Sequence, residues 1–250
     1  MFVALASCVR AMPQVSLIED LTSGSLPNGS SILVEYDPAA QWYAGSLTIA
    51  NGWVRTGGKV SYHAAGQSPE KVRSQLIRLG LNMDEQESGG KFELWDWYTC
   101  MLGRKSTEKL AIDSLKVADL SIWWSKHRMT GPPTPDVLRI IDDLSSLARY
   151  NDEKTWIDFM VTRIVPSAAV QKSTRIVGVI SGIHSDWAYK TLEAAHDGII
   201  DLKLEEAGEE TRVLMRIRSL RNVSFDRRWH RLSFDENFNV SLEKKPSSPQ

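Results

Sequence analysis

Apolar and polar positions along the 250-residue chain switch repeatedly between a period of two and a period near 3.6. Ser31-Ile-Leu-Val-Glu35 is a short apolar run after the turn sequence Leu26-Pro-Asn-Gly29, and it predicts a buried strand. Tyr43 to Val54 reads as a helix, weakened by Gly45 and Gly52 and stopped by Gly57-Gly58. Lys59-Val-Ser-Tyr-His63 is the next strand. Ser68 then caps a helix with Pro69 in its first turn; Val72, Leu76 and Leu79 share one face, and Gly80 ends it. Asp84 to Gly90 reads as an acidic loop, Phe92 to Asp96 as a third strand and Gly103 to Glu108 as a second loop.

The same alternation continues. Leu115, Ala118 and Ile122 define a helix whose Trp123 and Trp124 supply core and one partly exposed face, and Gly131-Pro-Pro-Thr-Pro135 breaks it. Val137 to Ile141 is a strand running into Asp142-Asp143. A helix from Glu153 to Ala169 is expected to kink at Pro166. Ile176 to Ile180 is another buried strand, and Trp187 to Ala195 another helix. After this the character changes. Gly198 to Leu204, Arg212 to Leu220, Trp229 to Phe234 and Phe238 to Leu242 are successive β runs, which predict an antiparallel extension on a mostly parallel sheet. With no internal repeat or linker, residues 1–243 read as a single α/β domain and 244–250 as a disordered tail.

Composition narrows the picture. Lys and Arg number 30 against 31 Asp and Glu, a net charge of −1, so neither a basic nucleic-acid coat nor an acidic solvating chain is indicated. No apolar run reaches the roughly 18–20 residues of a membrane span. Only Cys8 and Cys100 are present, which excludes a disulfide framework. The apolar stretch Met1 to Val9 has no basic residue before it, so no export signal is read and a cytoplasmic location is expected. The five histidines lack metal-ligand spacing. Ser181-Gly-Ile-His184 lacks the G-x-S-x-G context of a serine nucleophile.

Five landmarks, in order, resemble the KaiC-like branch of the RecA-type ATPases. They are Ser25-Leu-Pro-Asn-Gly-Ser30 with Ile32-Leu-Val34; Gly58 to Tyr62 with Ser68-Pro-Glu70; Arg139-Ile-Ile-Asp142 with Leu144 to Leu147; Ala195 to Leu202; and Arg218-Ser-Leu-Arg221 with Arg228-Trp-His230. The resemblance implies a RecA-like P-loop NTPase fold with a mostly parallel central sheet. It also implies a MgATP site at the first loop and assembly through subunit contacts.

The residues at that loop depart from the pattern. A phosphate loop needs G-x-x-x-x-G-K-[ST] so that backbone N–H groups converge on phosphate, Lys meets the terminal phosphates and the hydroxyl ligates Mg²⁺. Here the frame is Tyr36-Asp37-Pro38-Ala39-Ala40-Gln41-Trp42-Tyr43. Tyr36 and Gln41 replace the glycines, Trp42 the Lys, and Tyr43 the hydroxyl residue. Gly66 and Gln67 stand where the resemblance calls for water-activating carboxylates, and Ser219 for the hairpin Lys. Asp142, the acid expected on the Mg²⁺ side, remains. Trp42 and Tyr43 either line a pocket for a flat ligand or plug the loop, and the apolar area of the rings favours the plug.

The reading is therefore a pseudo-ATPase: a RecA-fold regulatory or assembly subunit without cofactor, binding a protein partner or a second copy of itself. Arg218, Arg221 and Trp229 are the candidate interface residues. One alternative is an ATP-binding protein or ATPase with a non-standard loop, the one case in which ATP and Mg²⁺ are expected. Another is a nucleic-acid module using the arginines of the closing hairpin (Arg212, Arg216, Arg218, Arg221, Arg227, Arg228, Arg231), against which a solvated strand face offset by Glu205, Glu206, Glu209 and Glu210 is the plainer account.

Overall fold

Near-continuous apolar runs form strands that can be buried on both faces, and six of them line up in parallel at the centre of the chain. The computed structural model describes residues 15–128 and 132–243, without the side chains of His127 and Arg128. The expectations for Cys8, the N-terminal apolar stretch and the 244–250 tail fall outside the described residues. The strands are β1 (Ser31–Tyr36), β2 (Lys59–Ala64), β3 (Phe92–Asp96), β4 (Val137–Ile141), β5 (Thr174–Ile180), β6 (Gly198–Ala207), β7 (Glu210–Leu220), β8 (His230–Phe234) and β9 (Val240–Leu242). They form one sheet in the order β3-β2-β4-β5-β1-β6-β7-β8-β9. Pairing is parallel from β3 to β6 and antiparallel from β6 to β9, as the β runs after Gly198 predict.

The two faces of β1 point into two cores. Ile32, Val34 and Tyr36 join the core under α1 (Trp42–Arg55) and α2 (Pro69–Arg78). Leu33 points the other way, into a core with Ile141, Val177 and Val179. That second core is covered by α5 (Val117–Arg128), α6 (Glu153–Phe159) and α8 (Asp186–Ala195), with α3 (Met83–Ser88), α4 (Tyr98–Met101) and α7 (Val165–Gln171) completing the helices. Ser68 caps α2 by accepting from Lys71 N at 3.4 Å, with Pro69 at the first position, as the sequence predicts.

Three readings need correction. The stretch read as an acidic loop contains α3. Its Asn82 side chain caps Glu85 N at 3.4 Å, with Asp84 and Glu85 in the first turn; only Met83 is buried, so no apolar period marks the helix. Ile122, placed on the inward face of its helix, is 72% exposed, while Leu120 and Trp124 are buried. The long helix kinked at Pro166 is three pieces: α6, a π-helical turn at Met160–Ile164, and α7. Pro166 has no N–H to bond the preceding turn, and the chain widens just before it. The Ile164 carbonyl in this region accepts from the buried Arg175 of β5.

At the seam between the parallel and antiparallel parts, Ile199 pairs with Ser219 but Ile200 with Ile217, so Arg218 is the extra residue of a bulge. The bulge turns its guanidinium toward three acids: Glu35 at 2.6 Å, Glu193 at 3.1 Å and Asp201 at 3.2 Å. Asp201 also meets Arg216 at 2.7 Å, and Glu193 meets Lys190 at 2.9 Å. Burial pushes the Glu35 carboxyl up to about 7, and Arg218 opposes that rise. One cation thus ties β1, α8, β6 and β7 together.

Replacing it by Arg218→Ala leaves three clustered carboxylates without their shared cation, and is expected to cost about 1–3 kcal/mol at neutral pH. Protonating the cluster relieves the repulsion, so denaturant titration should show a smaller loss at pH 5 than at pH 8.

Candidate functional site

Ligands of open α/β sheets bind beyond the carboxyl ends of the strands, and the loop from β1 to α1 lies at such an end. Asp37 occupies the amides of this loop itself. Its carboxylate accepts from Ala39 N at 2.8 Å and its carbonyl from Ala40 N at 2.8 Å, while its own N–H donates to Leu202 O at 3.0 Å. The N–H groups of Ala39 and Ala40 are therefore turned inward to Asp37, one to its carboxylate and one to its carbonyl, and not outward to an anion. Gln41 holds φ 58° and ψ 33°, the left-handed conformation for which the motif uses glycine. A non-glycine residue there costs about 1–2 kcal/mol, so the loop keeps its shape under strain.

Trp42 explains how that strain is held. Its indole is buried, and its Nε1 donates to Asp142 O at 2.9 Å across the gap between α1 and the end of β4. The floor beneath it is Gly178 of β5. A Cβ there would lie 2.3 Å from the indole nitrogen and 2.4 Å from Asp142 O, so only glycine admits the ring. Tyr36 packs at 6.2 Å from Trp42 and 6.1 Å from Tyr43, with the two hydroxyls 3.4 Å apart. Tyr43 covers Gly66, where a Cβ would fall 2.1 Å from the phenol oxygen. Of residues Pro38 to Tyr43, Trp42 is joined directly to Asp142, Pro38, Ala39 and Gln41 are exposed, and the rings of Trp42 and Tyr43 pack against Tyr36.

The acids beneath the rings are screened from water. Asp142 Oδ1 accepts from Ala65 N at 2.7 Å and Gly66 N at 3.0 Å; Oδ2 takes a long contact of 3.5 Å from Tyr62 OH, which also meets Ser46 Oγ at 2.8 Å. Burial outweighs the two amides and pushes the Asp142 carboxyl up to about 7; Asp143 is pushed up to about 6 in the same way. Burial also raises the three phenols Tyr36, Tyr43 and Tyr62, which stay neutral. Among the described residues no group of His, Cys, Asp and Glu is arranged to hold a metal ion.

A second polar cluster adjoins this one. His184, which the sequence sets beside Ser181, instead places Nε2 at 2.9 Å from Ser145 Oγ and Nδ1 at 3.7 Å from Glu153. The Ser145 oxygen also accepts from Ile180 N at 3.0 Å, and Glu153 accepts from Ser185 N at 3.0 Å. With Ser145 and His184 enclosed and the hydroxyl tied to an amide, the cluster joins the ends of β4 and β5 to α6 and α8.

The hairpin residues lie apart from the loop. Arg218 sits in its acid cluster. Arg221 donates to Ala194 O at 2.8 Å and lies 3.5 Å from Asp197. Trp229 has Lys203 and Arg216 over its ring, each 4.5 Å from the centroid. The acids that neutralise Arg216 and Arg218 are Glu35, Glu193 and Asp201, whereas the sequence points to Glu205, Glu206, Glu209 and Glu210; of these Glu210 meets Arg212 and Arg231. Sequence reasoning overlooks Asp37 as the occupant of the loop amides and Gly178 as the seat of Trp42. A glycine inside an apolar strand run is the signal that marks the second.

Two outcomes follow from this packing. Gly178→Ala should displace the indole and lower stability by about 2–4 kcal/mol, read by denaturant titration. Asp142 binds its proton more tightly folded than unfolded, so its contribution is complete below about pH 4 and is lost as pH rises toward 7. Asp142→Asn keeps an oxygen for the two amides and stays neutral, so its stability should fall less than wild type between pH 4 and 8 in melting scans.

A family model described as the KaiC ATPase matches residues 14–244. Among solved structures, the chain is similar to the KaiC-like protein PH0186 from the hyperthermophilic archaeon Pyrococcus horikoshii OT3. The two share 15% identity with a TM-score of 0.69, over 94% of this chain and 99% of that one. At that identity the likeness speaks for the fold alone. No curated protein matches. Among the described residues no helix is long and apolar enough to cross a membrane. With the family match running over nearly the whole length, the chain belongs to the KaiC ATPase family and carries its RecA-like fold.

Proposed function

We propose that this KaiC-family chain is a pseudo-ATPase that serves as a regulatory or assembly subunit through protein contacts. The observation that supports this reading is the buried indole of Trp42, bonded to Asp142 O and seated on Gly178, at the residue that the motif frame aligns with the phosphate-binding Lys. The site does not fit MgATP. The loop amides of Ala39 and Ala40 already have acceptors, Tyr43 offers a buried phenol in place of a small hydroxyl, and burial holds Asp142 near neutrality. Loss of one charge-assisted phosphate contact is worth roughly 1.5–3 kcal/mol, and several are absent together.

What the hairpin arginines touch weighs against the nucleic-acid reading. Arg212, Arg216, Arg218, Arg221, Arg228 and Arg231 each lie beside a carboxylate of the same chain, which reduces the charge offered to phosphates. The family relationship supports assembly with a second copy or with an active homologue, and the folded chain belongs in the cytoplasm on this reading.

Purified protein should show no ATP hydrolysis and no MgATP-dependent rise in Tm. A ligand at a hundred times its Kd would add about 2.7 kcal/mol, readily seen in a melting scan. Light scattering should give the same molar mass with and without MgATP. A rise in Tm with MgATP that Asp142→Ala abolishes would refute the proposal.

A further inference from the structure

A cleft of about 440 Å³ opens on the α1–α2 face, away from the β1–α1 loop. Its size lies within the roughly 300–1,000 Å³ of small-molecule sites. Thr48, Asn51 and Arg55 line it from one side of α1, Arg78 from the end of α2, and Asn237 and Asn239 from the turn between β8 and β9. Thr48 and Asn51 are themselves buried.

Charge distinguishes this cleft. Most hairpin arginines, and Arg73 on α2, lie within 4.0 Å of a carboxylate. Arg55 and Arg78 form no such pair among the described residues; they are held by neutral groups. Arg55 donates to Asn51 Oδ1 at 3.1 Å, Leu79 O at 3.1 Å and Gly80 O at 2.9 Å, through Nε and Nη2. Arg78 lies over the Phe238 ring at 5.3 Å and donates Nη2 to Glu236 O at 3.2 Å. Two cations held by neutral partners, each with further N–H groups to give, therefore line the same cleft near the end of α2. Asp235, the acid of the lining, turns its Oδ1 to Asn237 N at 2.8 Å and Asn239 N at 2.9 Å.

The floor adds an independent sign. The Ser16 hydroxyl lines the cleft, and its oxygen is buried with no hydrogen-bond partner among the described residues. It is admitted by Gly52, where a Cβ would come within 3.0 Å of it. A glycine within a helix costs roughly 0.5–1 kcal/mol against alanine, and here it makes room for an unpartnered hydroxyl of a residue that lines the cleft.

We propose that this cleft binds a small phosphate ester, its phosphoryl group between Arg55 and Arg78 and its polar body against Asn51, Asn237, Asn239 and the Ser16 hydroxyl. Guanidinium groups match phosphate oxygens in paired hydrogen bonds, and the uncharged amides and hydroxyls suit a hydroxylated body.

Isothermal titration calorimetry on the full chain at low salt tests this with ribose 5-phosphate, inorganic phosphate, ribose and citrate. Ribose 5-phosphate is expected to bind at one site, inorganic phosphate more weakly, and ribose not at all. Arg78→Gln, a change at an exposed side chain, should weaken binding at least about tenfold, and Asn237→Asp should weaken it by placing an anion in the cleft. Arg163→Gln, on the opposite side of the sheet, should leave it unchanged. No heat at about 10 mM ester, equal affinity in Arg78→Gln, or citrate binding more tightly than ribose 5-phosphate would overturn the proposal. Inorganic phosphate binding as tightly as the ester would overturn the assignment of an ester.

Discussion

The hydrogen bond from the Trp42 indole to the carbonyl of Asp142 is the constraint around which the carboxyl end of the parallel strands is organised. A buried indole N–H needs an acceptor, and this one finds it on a neighbouring strand end rather than on a ligand. The bond is possible because Gly178 lets the ring lie flat against β5, and it fixes the start of α1. From that anchor follow the left-handed Gln41 and the packing of Tyr36 and Tyr43 over Gly66. The same cover closes Asp142 and Asp143 beneath protein. The loop is therefore closed by its own packing, with the rings of Tyr36, Trp42 and Tyr43 against one another.

This packing has an electrostatic consequence. The acids at the end of β4 sit under aromatic rings with backbone amides as their partners, and burial moves their titration toward the neutral range. Charge elsewhere is handled in the opposite manner. Around Arg218, guanidinium and carboxylates from four elements cancel locally, which lets a charged bulge sit at the join between the parallel and antiparallel halves of the sheet.

Much of this was legible in the residues. Apolar runs rich in Val, Ile and Leu mark β1, β4 and β5, where burial on both faces leaves no alternation to confuse the reading, while β2 and β3 are carried by Tyr62, Phe92, Leu94 and Trp95. The aromatic pair Trp42-Tyr43 at the start of α1 is also legible, as a bulky plug just beyond the end of β1. Long-range pairing was not legible. Nothing local to Arg218 shows that a one-residue bulge aims it at Glu35, far away in sequence, and nothing near His184 shows that its neighbour is Ser145 rather than Ser181. Helix α3 escaped notice since its stability comes from a cap and first-turn acids, not from an apolar face.

The widened turn before Pro166 has a consequence for how this chain can vary. It carries one residue more than a regular helix of the same rise, and the Ile164 oxygen beside it reaches the guanidinium of Arg175 on the adjacent strand. Shortening the stretch by one position would regularise the coil and withdraw that oxygen from a cation sealed inside the second core. Length and charge at these two places are thus linked, with Ser167 Oγ at 2.7 Å and the Trp124 ring left to hold the guanidinium.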